Sequence, residues 1–286
     1  MKKTLAAKLL LAAAAAAGMM LAAGCGGSGD KKDEAQAGGA QKGALMQQIK
    51  ERGKLVIGTA SGFPPYEFID TSKSEKTVAG IDINLAQKIA DKLGVKLEVQ
   101  DMNFSALLSS MAANKVDIVI AGITPTPERE KAVDFSDTYL SDKNIMLIRK
   151  SDLGKYTKVE DFYGKDIAAQ KSTQQETLVK EYLKDAKIVS LDRIGDALME
   201  LQHGKVEGVP SQRAVAQQYL IMNPEIADSG VYFEGKDSAA AVAVPKGNED
   251  FLQLINGIIK ECHENGDFEK WTQECSELAV QNAQQK

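Results

Sequence analysis

Short apolar runs alternate with amphipathic segments from residue 45 onward. The runs that predict strands are residues 54–60 (KLVIGTA), 95–100 and 116–121 (VDIVIA). The segments between them that predict helices are residues 83–93 and 104–114. In the first helix Leu85, Ile89 and Leu93 fall on one face, and Gly94 supplies the expected C-terminal stop. Strands that alternate with helices predict an α/β fold built on a parallel sheet.

The same alternation starts again at residue 166. The second set of predicted strands is 166–170, 188–191 and 206–210, and the predicted helices between them are 173–184 and 194–203. Two α/β units predict two lobes, with a ligand crevice at the carboxyl ends of the strands. We assign residues 45–145 and 241–286 to lobe 1 and residues 146–240 to lobe 2. The apolar extended runs 145–149 and 240–244 predict a two-strand hinge, and the tail from Asn248 is expected to pack on lobe 1.

The N-terminal segment is typical of an export signal. Lys2, Lys3 and Lys8 precede an apolar, alanine-rich run that ends in small residues before Cys25. The run is short for a membrane span, so residues 1–24 are interpreted as a signal peptide. Cys25 is then the expected lipidation site and lipid anchor. The alternative is a plain signal peptide with an incidental Cys25.

Residues 25–44 follow as a predicted flexible tether, because they contain glycine, alanine and charged residues but no large apolar side chain to bury. Without residues 1–24, three of the 35 basic residues are lost, which leaves 32 basic against 40 acidic side chains and a net charge of −8. An acidic chain without a basic cluster in its globular part disfavours nucleic acid as a partner.

The chain contains few residues of the kinds that metal and nucleophilic catalysis need. Its two histidines, His203 and His263, stand apart without ligand spacing and are expected at the surface, so no metal or cofactor is implied. Nucleophile-elbow, phosphate-loop and dinucleotide motifs do not occur. Cys262 and Cys275 lie close together in a chain that is expected to be exported, which favours a disulfide; two free thiols on one helix are the alternative.

The segment 121–129 (AGITPTPER) is the strongest candidate for ligand chemistry. A buried strand ends at a small pair, and a helix should begin at the prolines, where Glu128 suits the positive helix end. Thr124 offers a hydroxyl group and a backbone N–H group, and Arg129 offers a planar fork that fits a carboxylate. The alternative is a capped helix with a surface arginine.

A second helix start offers anion-binding groups. Either Ser172 with Gln175 or Thr173 with Glu176 forms a capping box before the helix that begins near residue 173. Backbone N–H groups at such a helix start attract anions.

These segments resemble the family 3 extracellular solute-binding proteins, which serve polar amino-acid ABC importers. The resemblance runs from about Gly53 to Trp271 and rests on four segments in the family's order and spacing: GKLVIGTASGFPPYEF, GIDINLAQKIADKLG, NKVDIVIAGITPTPEREKAVDFSDTY and AQKSTQQE. It implies the type II, two-lobed periplasmic-binding-protein fold, in which two α/β lobes joined by a two-strand hinge close over one amino acid.

The resemblance also implies roles for individual residues. Thr124 and Arg129 match residues that bind the ligand α-carboxylate, and Gly122 matches one whose backbone meets the α-ammonium group. Thr173 and Gln174 match a helix start that also meets the carboxylate.

Three further positions match residues around the ligand side chain. Phe63 and Phe104 match the aromatic residues that sandwich it, with ordinary core aromatics as the alternative. Gln170 matches a position that often recognises the side chain.

The chain departs from the family pattern at three positions. Gln212 stands where an acid normally neutralises the ligand ammonium group, and Ala60 stands where members that select cationic side chains carry an acid. Both differences disfavour Lys, Arg or His as the ligand and leave room for a modified or absent amine. Ser172 replaces a common glycine at the second helix start.

The expected function is therefore capture of an amino acid or amino-acid-like solute and its delivery to ABC permease subunits. The protein is expected to be exported, anchored to the membrane by lipid at Cys25, monomeric and not an enzyme. The alternative is an exported enzyme similar to cyclohexadienyl dehydratase, which needs an acid facing the ligand; Gln212 removes the most obvious one. A sensor input domain is a second alternative.

Overall fold

The computed structural model describes residues 44–72 and 74–284. The predicted signal peptide 1–24, Cys25 and all of the predicted tether except Ala44 lie outside the described residues. The α-helices are α1 (Ala44–Arg52), α2 (Ile81–Leu93), α3 (Leu107–Ala112), α4 (Pro127–Glu130), α5 (Gln174–Tyr182), α6 (Ile194–Gln202), α7 (Arg213–Met222), α8 (Glu249–Asn265) and α9 (Asp267–Gln284). Short 3₁₀ helices span Phe104–Ala106, Lys150–Asp152 and Val159–Phe162.

The strands are β1 (Lys54–Thr59), β2 (Phe68–Asp70), β3 (Thr77–Ala79), β4 (Lys96–Asp101), β5 (Ile118–Val119), β6 (Val133–Phe135), β7 (Leu140–Asp142), β8 (Asn144–Arg149), β9 (Asp166–Gln170), β10 (Lys187–Leu191), β11 (Val209–Gln212), β12 (Ile226–Tyr232), β13 (Ser238–Ala240) and β14 (Ala243–Pro245).

The first lobe is built on a five-stranded sheet with the order β4-β1-β5-β14-β6. Strand β1 pairs in parallel with both β4 and β5, whereas β14 joins antiparallel to β5 and β6. Helix α2 covers this sheet with the apolar face that its periodicity predicts, since Leu85 and Ile89 are fully buried. Gly94 ends the helix in the left-handed conformation at φ 71°, as expected from its position.

The second lobe is built on two small sheets. Strands β9 and β10 are parallel, and β8 lies between β11 and β12 in an antiparallel sheet. A parallel bridge from Ile167 to Gly208 links the two sheets. A side chain at Gly208 would require the Met146 side chain to move, because its Cβ would lie 2.7 Å from the sulfur of Met146. The two α/β lobes confirm the predicted two-lobed, type II periplasmic-binding-protein fold.

The lobes are connected by the antiparallel pair β7 and β13, in which Ser238 pairs with Asp142 and Ala240 with Leu140. The hinge predicted at residues 145–149 and 240–244 is therefore wrong by several residues. Residues 145–149 lie in β8, the central strand of its sheet, and residues 243–245 form β14 of the first lobe. An apolar extended run fits a buried sheet strand as well as a hinge, so periodicity alone does not separate the two.

The tail forms the long helices α8 and α9. Helix α9 packs on α2 and β2 of the first lobe, as expected, but it also contacts α7 of the second lobe. Two hydrogen bonds join the lobes in the same region. Tyr219 in α7 donates its hydroxyl hydrogen to the Gly62 carbonyl at 2.7 Å, and the Arg193 guanidinium donates to the Ser61 carbonyl at 3.1 Å. The lobes are therefore also in contact away from the connecting strands.

The predicted disulfide between Cys262 and Cys275 is not formed, and both are buried free thiols. They lie on separate helices, α8 and α9, rather than on one helix. Each sulfur has its own neighbours: Cys275 accepts a hydrogen bond from the Asn84 amide at 3.7 Å, and Cys262 contacts Asp267. Closeness in sequence does not bring the two sulfurs together, because Gly266 ends α8 between them and α9 starts anew.

Candidate ligand-binding site

A cavity with about 330 Å³ of free space, part of it open to solvent, lies between the two lobes. Its first-lobe lining consists of Ala60, Phe63, Glu67, Phe104, Ala121, Gly122, Thr124 and Arg129. Its second-lobe lining consists of Gln170, Thr173, Gln174, Gln175 and Gln212. The structure thus brings together in one cavity all nine residues for which the sequence predicts ligand contact.

The cavity lies where the strands of both lobes end. Ala60 directly follows β1, Gly122 follows the buried run that includes β5, and Gln170 and Gln212 are the last residues of β9 and β11. Backbone and side-chain groups at the carboxyl ends of strands are not all hydrogen-bonded within the sheet. Open α/β sheets bind their ligands at these ends.

Arg129 is held across the opening between the lobes. Its guanidinium donates to the Thr124 carbonyl at 2.5 Å and to the Ser172 carbonyl in the second lobe at 2.8 Å. Its Cζ lies 5.4 Å from the centre of the Phe104 ring, within cation–π range. Burial lowers the Arg129 pKa to about 10, so the group stays charged at neutral pH. The alternative in which Arg129 is a surface arginine without contacts is therefore wrong.

The loop after β5 is fixed by a buried carboxyl group. Asp82 in α2 is fully buried and accepts a hydrogen bond from the Gly122 N–H group at 2.7 Å and another from the Tyr139 hydroxyl at 2.7 Å. Gly122 has a φ of 53°, and a Cβ there would lie 3.2 Å from the Phe63 ring. A side chain at this position would be strained and would crowd Phe63.

Two aromatic rings form apolar walls of the cavity. Phe63 packs against Tyr66 with 5.7 Å between ring centres, and it is half-buried. Phe104 begins a short 3₁₀ helix and is also half-buried, because part of its ring faces the cavity and Arg129. Two aromatic walls suit the aliphatic or planar part of a ligand side chain.

The start of α5 forms the second-lobe side of the site. Thr173 is the N-cap residue and its hydroxyl oxygen accepts from the Glu176 N–H group at 3.2 Å. Of the two predicted capping boxes, the one with Thr173 and Glu176 is therefore present in part: the Glu176 carboxylate turns back to the Ser172 N–H group at 2.9 Å. Ser172 has a φ of 64°, which explains why glycine is common there in the resembled family.

The glutamines of the second lobe differ in whether their side chains are hydrogen-bonded to other residues. Gln174 accepts from the Ser238 hydroxyl at 2.8 Å, and Gln175 donates to Asn144 at 2.7 Å. Gln170 donates to the Asp192 carbonyl at 3.1 Å. Gln212 is 2% exposed, and its Oε1 is buried without a hydrogen-bond donor among the described residues. A buried polar atom without a partner is rare in proteins, so this oxygen is available to a donor on a ligand.

Glu67 is the lining residue that the sequence analysis did not single out. It is 1% exposed, no described residue donates a hydrogen bond to its Oε2, and no described cation forms an ion pair with it. Burial raises the pKa of Glu67 well above its usual range, and the neighbouring Asp82 raises it further. The signal was present in the sequence as a lone acid inside the apolar segment GFPPYEF, but its partner Asp82 lies in another element.

The comparisons with known proteins agree with this architecture. The family model of the bacterial extracellular solute-binding proteins, family 3, matches residues 55–274. The chain belongs to this family. Its curated relatives include the arginine-binding extracellular protein ArtP of Bacillus subtilis, which is 32% identical over 220 residues that cover 76% of this chain and 84% of ArtP.

Two solved structures place this family 3 protein among amino-acid-binding relatives. The substrate-binding protein AbpA of an amino acid ABC transporter from Streptococcus pneumoniae, bound to L-arginine, is 34% identical with a TM-score of 0.79, over 82% of this chain and 99% of its own. The ancestral amino acid-binding protein AncCDT-1, a precursor of cyclohexadienyl dehydratase, is 30% identical with a TM-score of 0.73, over 80% and 98%.

The described part of this solute-binding protein offers no group of His, Cys, Asp and Glu residues suited to a metal ion. His203 and His263 are both exposed, as expected from the sequence. Among the helices of residues 44–284, none is long and apolar enough to cross a membrane.

Proposed function

We propose that the protein captures an amino acid with a cationic side chain, arginine in the first instance, and delivers it to an ABC importer. The observation that carries this proposal is Glu67, a buried acid in the cavity wall without a cationic partner among the described residues. The arginine-binding relatives ArtP and AbpA support it.

The cavity offers a separate partner for each charged group of such a ligand. The guanidinium of Arg129, with Thr124 and the α5 start at Thr173, suits the α-carboxylate. The unpartnered Oε1 of Gln212 and the backbone at Gly122 suit the α-ammonium group.

The ligand side chain would then lie between Phe63 and Phe104, with its charged end at Glu67. This revises the sequence-based argument against a cationic ligand. That argument rested on Gln212 and Ala60, and it did not take account of the acid at Glu67.

In this mechanism the lobes close over the bound ligand, and no covalent bond of the ligand is made or broken. We propose that the two lobes are those expected from the sequence, 45–145 with 241–286 and 146–240, with the boundaries moved to the connecting pair: residues 45–139 with 241–286 form one lobe and residues 143–237 the other. We further propose that they move about the β7–β13 pair as a monomer. AncCDT-1 is itself an amino acid-binding protein, which favours binding over turnover on this fold.

Recovery of unchanged ligand from the purified protein by mass spectrometry supports binding alone; a product of altered mass would favour the dehydratase-like alternative.

Calorimetry with four amino acids tests the ligand class. We expect L-arginine and then L-lysine to bind tightly, and L-citrulline and L-glutamine to bind more weakly, because the last two lack the charge that Glu67 would balance. Tighter binding of L-glutamine than of L-arginine would contradict the proposal.

We also propose that residues 1–24 are a lipoprotein signal peptide and that Cys25 carries the lipid anchor, with residues 25–44 as a tether that lets the lobes reach the permease. The small residues before Cys25 and the absence of large apolar residues after it support this. Cys25→Ser should release the protein from membranes. If that variant still sediments with membranes after a high-salt wash, the anchor is elsewhere.

A further inference from the structure

Glu67 and Asp82 form a buried carboxyl pair beside the cavity. Glu67 is 1% exposed and Asp82 is 0% exposed, and the Asp82 N–H group donates to the Tyr66 carbonyl at 3.0 Å, which places the two acids side by side. Two neighbouring carboxylates that are buried without a cationic partner among the described residues cannot both be ionised, because burial and like charge both disfavour the second negative charge. The pair therefore holds a proton in the ligand-free protein.

The surrounding donors decide which of the two residues carries the proton. Asp82 accepts hydrogen bonds from the Gly122 N–H group and the Tyr139 hydroxyl, each at 2.7 Å, and both stabilise its ionised form. Glu67 has no comparable donors among the described residues, and its Oε2 is buried without one. The proton therefore belongs on Glu67.

Among the described residues, the charged and titratable groups around the pair do not supply a compensating positive charge at Glu67. The groups that interact electrostatically with Glu67, Asp82 or their tyrosine neighbours are Tyr66, Asp101, Tyr139, Asp142 and Cys275. Arg129, which lines the same cavity, is bonded to the Thr124 and Ser172 carbonyls instead. Burial raises the pKa of Asp82 to about 7 and raises the pKa of Glu67 well above its usual range, which agrees with a proton held by the pair.

We propose that Glu67 is the residue that selects a cationic ligand and that it releases its proton to solvent when the ligand's positive group arrives. Before binding, Glu67 is a neutral carboxyl group beside Asp82; afterwards it is a carboxylate paired with the ligand cation, and one proton has left. This inference rests on the proposed function, since it needs a cationic ligand.

The consequence is a binding reaction coupled to pH. Because the free protein holds one proton more than the complex, raising the pH favours the complex. The affinity for L-arginine should rise by up to about tenfold per pH unit while the free pair keeps its proton, and then level off. A neutral ligand of the same shape, L-citrulline, should show no such dependence.

Isothermal titration calorimetry of L-arginine at pH 7, in phosphate and in Tris, measures the number of protons released. We expect about one proton per ligand for the wild-type protein. Glu67→Gln keeps the side-chain shape and can donate from its amide to Asp82, so the fold should survive; it should release about no proton and bind L-arginine about 30-fold more weakly or worse. The matched control is Glu128→Gln, on the exposed side of α4, which should behave as wild type.

The outcomes separate the two proposals. If L-arginine binds with no proton release, or if Glu67→Gln releases as many protons as wild type, the proton inference is overturned while the ligand class stands. If L-arginine does not bind, the proposed ligand class is wrong, and the infrared spectrum of the free protein at pH 7 still decides about the proton. A protonated carboxyl band that Glu67→Gln lacks supports the inference, and its absence overturns it.

Discussion

At the scale of single residues, Arg129 has two tasks that its sequence position predicted only in part. It lines the cavity, and it bonds the loop of the first lobe to the Ser172 carbonyl of the second. In the proposed mechanism its guanidinium binds the ligand and also joins the two lobes.

We expect Arg129→Ala to weaken L-arginine binding by about 30-fold to several thousand-fold, because truncation of one partner of a buried charge pair typically costs about 2–5 kcal/mol. Arg129→Lys should fall between this variant and wild type, since lysine keeps the charge but loses the two parallel hydrogen bonds. Calorimetry gives the affinities and circular dichroism checks the fold. Unchanged affinity in Arg129→Ala would mean that the carboxylate binds elsewhere.

Ser172 shows local strain at the binding site. Its φ of 64° lies in the left-handed region, where a non-glycine residue costs about 1–2 kcal/mol. Ser172→Gly removes that cost but adds flexibility to the unfolded chain, worth about 0.5–1 kcal/mol. We expect a net gain of about 0.5–1 kcal/mol in the free energy of unfolding, measured by denaturant titration, with the affinity for ligand little changed. A loss of stability would show that the serine hydroxyl is needed for the turn.

At the scale of elements, α7 and α9 connect the lobes away from the cavity. The Tyr219 hydroxyl and the Gly62 carbonyl bond across the lobes at 2.7 Å, although neither residue lines the cavity. We expect this bond to be lost when the lobes open, so that it favours the closed form.

Tyr219→Phe should therefore weaken ligand binding without touching the ligand. Loss of one hydrogen bond worth about 1 kcal/mol predicts an affinity about fivefold lower, mainly through faster dissociation. Surface plasmon resonance measures both rate constants, with Tyr163→Phe, on the exposed surface, as the control. Equal dissociation rates in the two variants would show that the hydrogen bond between Tyr219 and Gly62 does not stabilise the closed form.

At the scale of the whole molecule, the carboxyl pair also makes stability depend on pH. The pKa values of Glu67 and Asp82 are raised in the folded protein by burial. Each group therefore contributes stability that is present below the unfolded pKa of about 4 and is lost as the pH rises through the folded pKa. At neutral pH the ligand-free protein has therefore lost part of this stability, and a bound cationic ligand would compensate for the loss.

We expect the melting temperature of ligand-free wild type to fall between pH 5 and pH 8 more than that of Glu67→Gln. The difference should grow by up to about 1.4 kcal/mol per pH unit over the range in which the folded protein holds the extra proton. Scanning calorimetry at four pH values gives the comparison. Parallel curves for the two proteins would show that Glu67 titrates normally.

The sequence alone predicted many of the elements and nine of the residues that line the cavity. Strand β9 and helix α6 begin at the predicted residues, Gly94 ends α2 as expected, and all nine predicted ligand residues line one cavity. These features are readable because periodicity, glycine and helix caps report local conformation and burial, and because the family's motifs stand in the chain unchanged in order and spacing.

Only the tertiary structure decided which distant groups meet. Glu67 and Asp82 belong to different elements, the connecting pair joins β7 to β13 across almost a hundred residues, and the sulfurs of Cys262 and Cys275 face different neighbours. The physical reason is common to all three. An apolar run indicates only that a segment is buried, and two nearby cysteines are close only in sequence. Which side chains and strands contact each other depends on how elements from separate parts of the chain pack together.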